Sequence, residues 1–473
     1  MVGFGLTYGD PDQSPDDLSA AMVVEPAPRG PAAANAPLRH RDILTIAVPI
    51  ILSNATTPLV GYVDLAVIGT YGSTQLTGAM ALAAQLFNFI FWTFGFLRMG
   101  TTGLTAQAAG AGHADETAAH LGRALLIGTV IGIVLIVFQG PIAKLALWAF
   151  GASEAINALA MTYYDVRIWS APLTMMNYAL LGWFIGLGRA GRAFAIQLLL
   201  NGVNIVLAIA LTIGLGYGMT GVAASSVVAE AVALAVGLWL AMREIRARGG
   251  ALRWESLVAR AALVRAFNVN RDLMIRTLAL EVAFGFFLAQ GARAGDLTLA
   301  ANGVLQAIIT VTMYLLDGFA FAAETLTGQA IGARARPRFD HAVWLSTAWA
   351  GVLALLVSAA LWVVGPALID LSTRAEDVRE AARLYLFWAA LVPIAGVWCF
   401  QLDGIFIGAT RTAAMRNMML LSLIIYLAAA VPLTAAFGNH GLWLAFLGFF
   451  GVRALTLLWC YPALIRDSFA TAR

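Results

Sequence analysis

The 473 residues are 60% hydrophobic and 12% charged, with a formal net charge of +3 and a mean hydropathy of +0.81. Ordinary soluble domains carry about 25% charged residues, so that class is excluded and the chain reads as a multi-pass membrane protein. The two cysteines and five histidines lack ligand or disulfide spacing, no phosphate-binding P-loop is present, and the arginines are scattered over short loops; a metal centre, direct ATP drive and nucleic-acid binding are not expected.

Residues 1–36 are rich in Pro, Ala, Asp and Gly and lack a basic start followed by an apolar core, which reads as a disordered tail. The apolar runs that follow divide into about twelve spans. The first six are expected over 43–70, 75–109, 121–147, 156–187, 193–215 and 219–242. An Arg-rich connection over 243–266 precedes six more, over 268–292, 297–332, 340–370, 379–409, 414–435 and 440–465. The domain reading is a tail (1–36), a six-helix bundle (37–247), a cytoplasmic linker (248–266) and a second six-helix bundle (267–473).

The first span carries Asp64 inside its apolar run. A carboxylate in hydrocarbon costs about 2.5 kcal/mol or more and by default marks an ion or substrate path. Ser53, Thr57, Gly61 and Asp64 recur at helical spacing and share a face, with Asn54 beside it. Pro58 cannot donate to the Asn54 carbonyl, which leaves that oxygen for a side chain, water or ion. A structural acid inside the bundle is the alternative.

Arginine sets the expected orientation. Arg39 and Arg41 precede the first span, Arg189 and Arg192 follow the fourth, and Arg334, Arg336 and Arg338 follow the eighth. The loops over 70–75, 214–220 and 436–440 carry no Lys or Arg. The positive-inside rule then places both termini and the basic loops in the cytoplasm. Arg374, Arg379 and Arg383 break the pattern, next to Glu376, Asp377 and Glu380.

An internal repeat is legible. TAQAAGA at Thr105–Ala111 matches TGQAIGA at Thr327–Ala333, and FIGLGR at Phe184–Arg189 matches FIGATR at Phe406–Arg411, both 222 positions apart. GMTG at Gly218–Gly221 matches GNHG at Gly438–Gly441, 220 apart. Six spans per repeat is even, so both halves insert the same way up, as in parallel-repeat transporters.

Five stretches carry a family resemblance: PLVGYVDLAVIG, FLRMGTTGLTAQAAG, NRDLMIRTLAL, LLDGFAFAAETLTGQAIGAR and WCFQLDGIFIGATRTAAMRN. Over residues 38–465 the chain resembles the multidrug and toxic compound extrusion family, in its DNA-damage-inducible F branch. The resemblance implies an all-α membrane protein of two six-helix bundles. It would export organic, often cationic compounds in exchange for H+ or Na+. Asp64 matches the proton-coupling acid of the family's proton-driven members. Asn204 and Ser226 match its neutral partners, with Asn54 and Thr57 completing the coupling network, and Ala208 stands where those members carry a second acid. Glu281 and Asp403 lie near the acids used by the sodium-driven members.

Other polar positions carry their own expectations. Asp317 and Glu324 share a face, and Arg276 lies level with Asp317, so those two are expected to pair. Arg98 and Glu324 occupy near-equivalent places in the two halves and are the candidate cytoplasmic gate. Glu230, Asp165 and Arg167 read as structural.

The leading reading is a secondary antiporter of the inner membrane, monomeric and without a cofactor. Its partners are amphipathic organic cations, H+ and membrane lipids. Desolvation disfavours the charged form of an acid in an apolar cavity, so such a group can trade a proton for a cation. Sodium coupling remains the alternative ion. A lipid or oligosaccharide flippase is a second alternative, which would need clustered cavity arginines; Arg98 and Arg276 are the intramembrane candidates. A non-transporting scaffold would explain neither the repeat nor the intramembrane acids. No enzyme constellation is visible.

Overall fold

The computed structural model describes residues 37–151 and 153–470; the expected tail over 1–36 lies outside them. The described residues are helical, without a strand. The first half runs α1 (His40–Gly69), α2 (Thr74–Thr93), α3 (Phe96–Gly110), α4 (Ala114–Val137), α5 (Gln139–Phe150), α6 (Glu154–Arg167), α7 (Ala171–Gly186), α8 (Ala190–Ile209) and α9 (Gly218–Ala247). A short α10 (Trp254–Leu257) lies in the connection. The second half runs α11 (Arg260–Arg293), α12 (Asp296–Gly332), α13 (Arg336–Ser372), α14 (Glu376–Gly408) and α15 (Thr412–Phe469).

Nine helical segments among the described residues are long and apolar enough to cross a membrane. The last of them, α15, is two helices meeting at Gly438, where φ is 58° and ψ is −138°, a conformation that glycine adopts without a Cβ penalty. With the broken pair α6–α7 and with α11 counted beside them, the order gives the twelve spans expected. Three local details differ. The second span breaks between α2 and α3. The third begins at Ala114, not at 121, because Asp115 and Glu116 fit the first turn of a helix, where the backbone dipole favours acids; it ends at Val137 and a separate α5 follows. The fourth is interrupted by a 3-10 turn over Ile168–Ser170, just ahead of Pro172 in the first turn of α7.

The two halves repeat each other down to the backbone. Gly182 and Gly186 of α7 lie against Arg98 and Thr102 of α3; Gly404 and Gly408 of α14 lie against Ala320 and Glu324 of α12. A Cβ at any of these four glycines would strike a backbone carbonyl oxygen, so only glycine lets the helices approach this closely. Four helix ends close with a residue in the left-handed region, again in repeat-related pairs: Gly112 (φ 73°) with Arg334 (φ 54°), and Gly188 (φ 75°) with Thr410 (φ 53°).

Between the halves, α1 packs on α12 and α11 packs on α3. The exceptional basic loop is neutralised locally: Arg383 meets Asp370 at 2.5 Å and Arg379 meets Glu376 at 3.2 Å.

Candidate functional site

Asp64 lies in the last third of α1 and is only 5% exposed. Its Oδ1 is buried without a hydrogen-bond partner among the described residues. Arg167, the last residue of α6, is the cation within electrostatic reach of it. That guanidinium is already engaged: it donates to Ser170 Oγ at 2.6 Å and lies 3.8 Å from Glu230. The 3-10 turn that ends α6 is what brings Ser170 back to Arg167. Glu230 in turn accepts from Thr174 at 3.1 Å and from Asn177 at 2.6 Å. The structural reading of Glu230 and Arg167 thus has geometry behind it, whereas Asp165 is exposed and takes no part.

The expected partners of Asp64 are arranged differently. The Asn204 amide donates to Ser226 Oγ at 2.8 Å, and neither side chain is hydrogen-bonded to Asp64. Tyr163 stands close to both Asp64 and Ser226 and links the two sets. Asn54 donates to the carbonyl of Tyr314 at 3.2 Å, which ties α1 to the second half and not to the acid. The side chain of Thr57 lies outside the described residues. Ala208 is fully buried.

In the second half, Asp403 is held by two guanidiniums. Arg276 donates to its Oδ2, and Arg453 donates to the same oxygen at 2.7 Å. This corrects the expected pairing of Arg276 with Asp317. Equal depth puts two residues at one level but does not say which way each faces, and Arg276 turns to α14. Asp317 stays within electrostatic reach of Arg98, Arg276 and Arg453. Glu281 accepts from Thr93 of α2 at 3.4 Å, across the halves.

Arg98 also crosses between the halves, but it stacks on the ring of Phe321, 4.0 Å from its centroid. Glu324 is buried one turn away and within electrostatic reach of Arg98, without an ion pair between them among the described residues. Arg453 and Arg167 add to the intramembrane arginines expected from sequence. Each is committed to a carboxylate, so they do not form an open cationic cluster.

Sequence reasoning missed Tyr163, Arg167 and Arg453 as neighbours of the acids. No local motif marks them. They converge only because α6 packs on α9, which carries Glu230, and α15 packs on α14, which carries Asp403.

The family model described as MatE matches residues 49–210 and 276–431. The chain is 38% identical over 416 residues to DNA damage-inducible protein F of Escherichia coli (strain K12), covering 87% of this chain and 90% of that protein. It is 27% identical over 367 residues to the probable multidrug resistance protein NorM of Caulobacter vibrioides, covering 74% of each. Its fold matches the outward-facing conformation of a multidrug resistance MATE family transporter of the MOP superfamily, with a TM-score of 0.79 at 19% identity over 94% of this chain and 100% of that one. It also matches the Vibrio cholerae MATE transporter VcmN in the bent form, with a TM-score of 0.80 at 18% identity over 91% and 97%.

Proposed function

Because the chain belongs to the MatE family of transporters, we propose that it is a secondary antiporter exporting amphipathic, often cationic organic compounds in exchange for protons. The observation that carries this reading is the contrast between two acids. Each keeps one buried oxygen unpartnered, but Asp403 is ion-paired with two guanidiniums, whereas Asp64 makes no ion pair among the described residues and shares its nearby cation with Glu230. A buried acid without its own counterion is stable only when it is protonated or when a cation arrives. Proton and organic cation therefore compete for one carboxyl, which is the elementary requirement for exchange.

The same contrast argues against sodium at Asp403. A carboxylate carrying two guanidiniums presents no net negative charge to a metal ion. Asn204 and Ser226 act on Asp64 through Tyr163 in this reading, and Glu281, Asp317 and Arg98 line the path between the halves. The division into bundles over 37–247 and 267–473 joined by 248–266, a monomer in the inner membrane and cytoplasmic termini complete the proposal.

The test is efflux from proteoliposomes under separate pH and sodium gradients. A pH gradient alone should drive export of a fluorescent organic cation, and Asp64→Asn should abolish it at matched insertion. Export driven by sodium alone, or undiminished in the Asn variant, overturns the reading.

A further inference from the structure

The deepest contact between the halves lies at the ends of α3 and α12 next to the basic loops, and it is two-fold symmetric. Gln107 of α3 donates to the carbonyl of Gly408 in the second half at 2.9 Å. Gln329 of α12 donates to the carbonyl of Gly186 in the first half at 3.0 Å. Donors and acceptors are related by the same 222 positions, so one bond is the image of the other. The backbones touch at the same level. A Cβ on Gly110 would strike the carbonyl of Gln329, and a Cβ on Gly332 would strike that of Gln107. Thr325 of α12 adds a bond to the carbonyl of Ile185 at 3.1 Å.

The opposite end has no counterpart. Among the described residues, the hydrogen bonds that join the halves away from the basic loops, Asn54 with the carbonyl of Tyr314 and Thr93 with Glu281, lie near the middle of their spans and not at that end. The halves are therefore fastened at one end by few, specific bonds. A glutamine amide suits this use: it holds a carbonyl by a neutral bond and can return to water without moving a charge.

The two legs of this contact differ. Gln107 also donates to Thr410 Oγ1 at 3.2 Å and accepts from Arg265 at 3.1 Å. The image of Thr410 is Gly188, which offers Gln329 no hydroxyl. Thr410 keeps a left-handed backbone that a β-branched residue rarely adopts, and its bond to Gln107 is a return for that strain.

We propose that Gln107 and Gln329 form a releasable clasp that shuts the basic-loop end of the transporter and sets the balance between its two openings. They act as positioning residues: the clasp does not touch substrate, and it opens by losing the weaker Gln329 leg first. The proposal rests on the antiporter reading above, with the exchange worked by alternating access between the two ends.

The experiment uses the full chain in nanodiscs, in a background lacking Cys399 and Cys460. Spin labels on His113→Cys and Arg336→Cys, exposed beside the clasp on opposite halves, report the separation of the two halves at this end. Gln329→Glu keeps size but replaces the donor with an acceptor facing a carbonyl. It should raise the long-distance population about tenfold, the effect of one ordinary hydrogen bond. Thr410→Val, nearly isosteric, should raise it less, and Gln329→Glu with Thr410→Val should raise it most. Unchanged distances in a monodisperse Gln329→Glu protein, with Thr410→Val also unchanged, overturn the clasp. The distances need no substrate or gradient. A clasp that opens in a protein showing no proton-driven export removes the antiport reading alone, and unchanged distances in an exporting protein remove the clasp alone.

Discussion

Arg453 and Arg276 converge on a single carboxylate oxygen, Oδ2 of Asp403, deep in the second half. Both guanidiniums and the acid are almost wholly buried. The second half therefore carries its countercharge as side chains, while the first half leaves Asp64 to find one.

Removing that shared acid should be severe. Asp403→Asn leaves two buried guanidiniums without a carboxylate, and breaking a buried pair costs about 3–5 kcal/mol. A marked fall in the thermal unfolding temperature of the detergent-solubilised protein is expected. Adding Arg453→Met should recover part of the loss. A double variant no more stable than the single one would show that Arg453 does not depend on Asp403.

Asp64 should behave in the opposite way. Among the described residues it has no hydrogen-bonded partner to strand, so Asp64→Asn should leave the unfolding temperature within a degree or two of wild type while ending proton-driven export. Unfolding and efflux measured on the same preparation separate these effects. Export that survives would mean that another group carries the proton.

Arg167 stands between two acids, 3.8 Å from Glu230 and within electrostatic reach of Asp64. Glu230→Gln frees that guanidinium to pair with Asp64, as a buried cation requires. Export should fall several-fold in a folded protein, and adding Arg167→Gln should restore a part of it. If Arg167→Gln worsens export in the Glu230→Gln background, the guanidinium is not the cause.

Glycine substitutions should divide by position. Gly186→Ala and its image Gly408→Ala put a methyl group into a helix contact already at van der Waals limit, and overpacking of this kind costs about 1–3 kcal/mol. Gly202→Ala in α8 meets nothing within 4 Å and should be neutral or stabilising by about 0.5–1 kcal/mol, the ordinary helix preference of alanine. Thermal unfolding of the three variants checks the order. Equal effects at Gly186 and Gly202 would contradict the close packing of α3 on α7.

The amino-acid sequence by itself determined the class, the spans and the two-fold repeat. Apolar runs long enough for a bilayer are a property of consecutive residues, and similar heptapeptides 222 positions apart are visible without coordinates. Asp64 stood out for the same reason: one acid in hydrocarbon is conspicuous in a linear reading. Even Gln107 and Gln329 lay in plain view inside the repeated motif. What they hold was not in view.

Only the tertiary structure decided the partners. A rise of 1.5 Å per residue fixes how deep a side chain sits, but the direction it faces depends on how its helix is rotated against neighbours distant in sequence. Arg276 and Asp317 share a depth, yet Arg276 turns to Asp403, where Arg453 of α15 arrives from the far end of the chain. The Asn204 amide is given to Ser226, not to Asp64, because the faces of α8 and α9 that carry them meet. The clasp required both helix ends to cross at Gly110 and Gly332, a contact set by backbone approach that no residue pattern along one helix can specify.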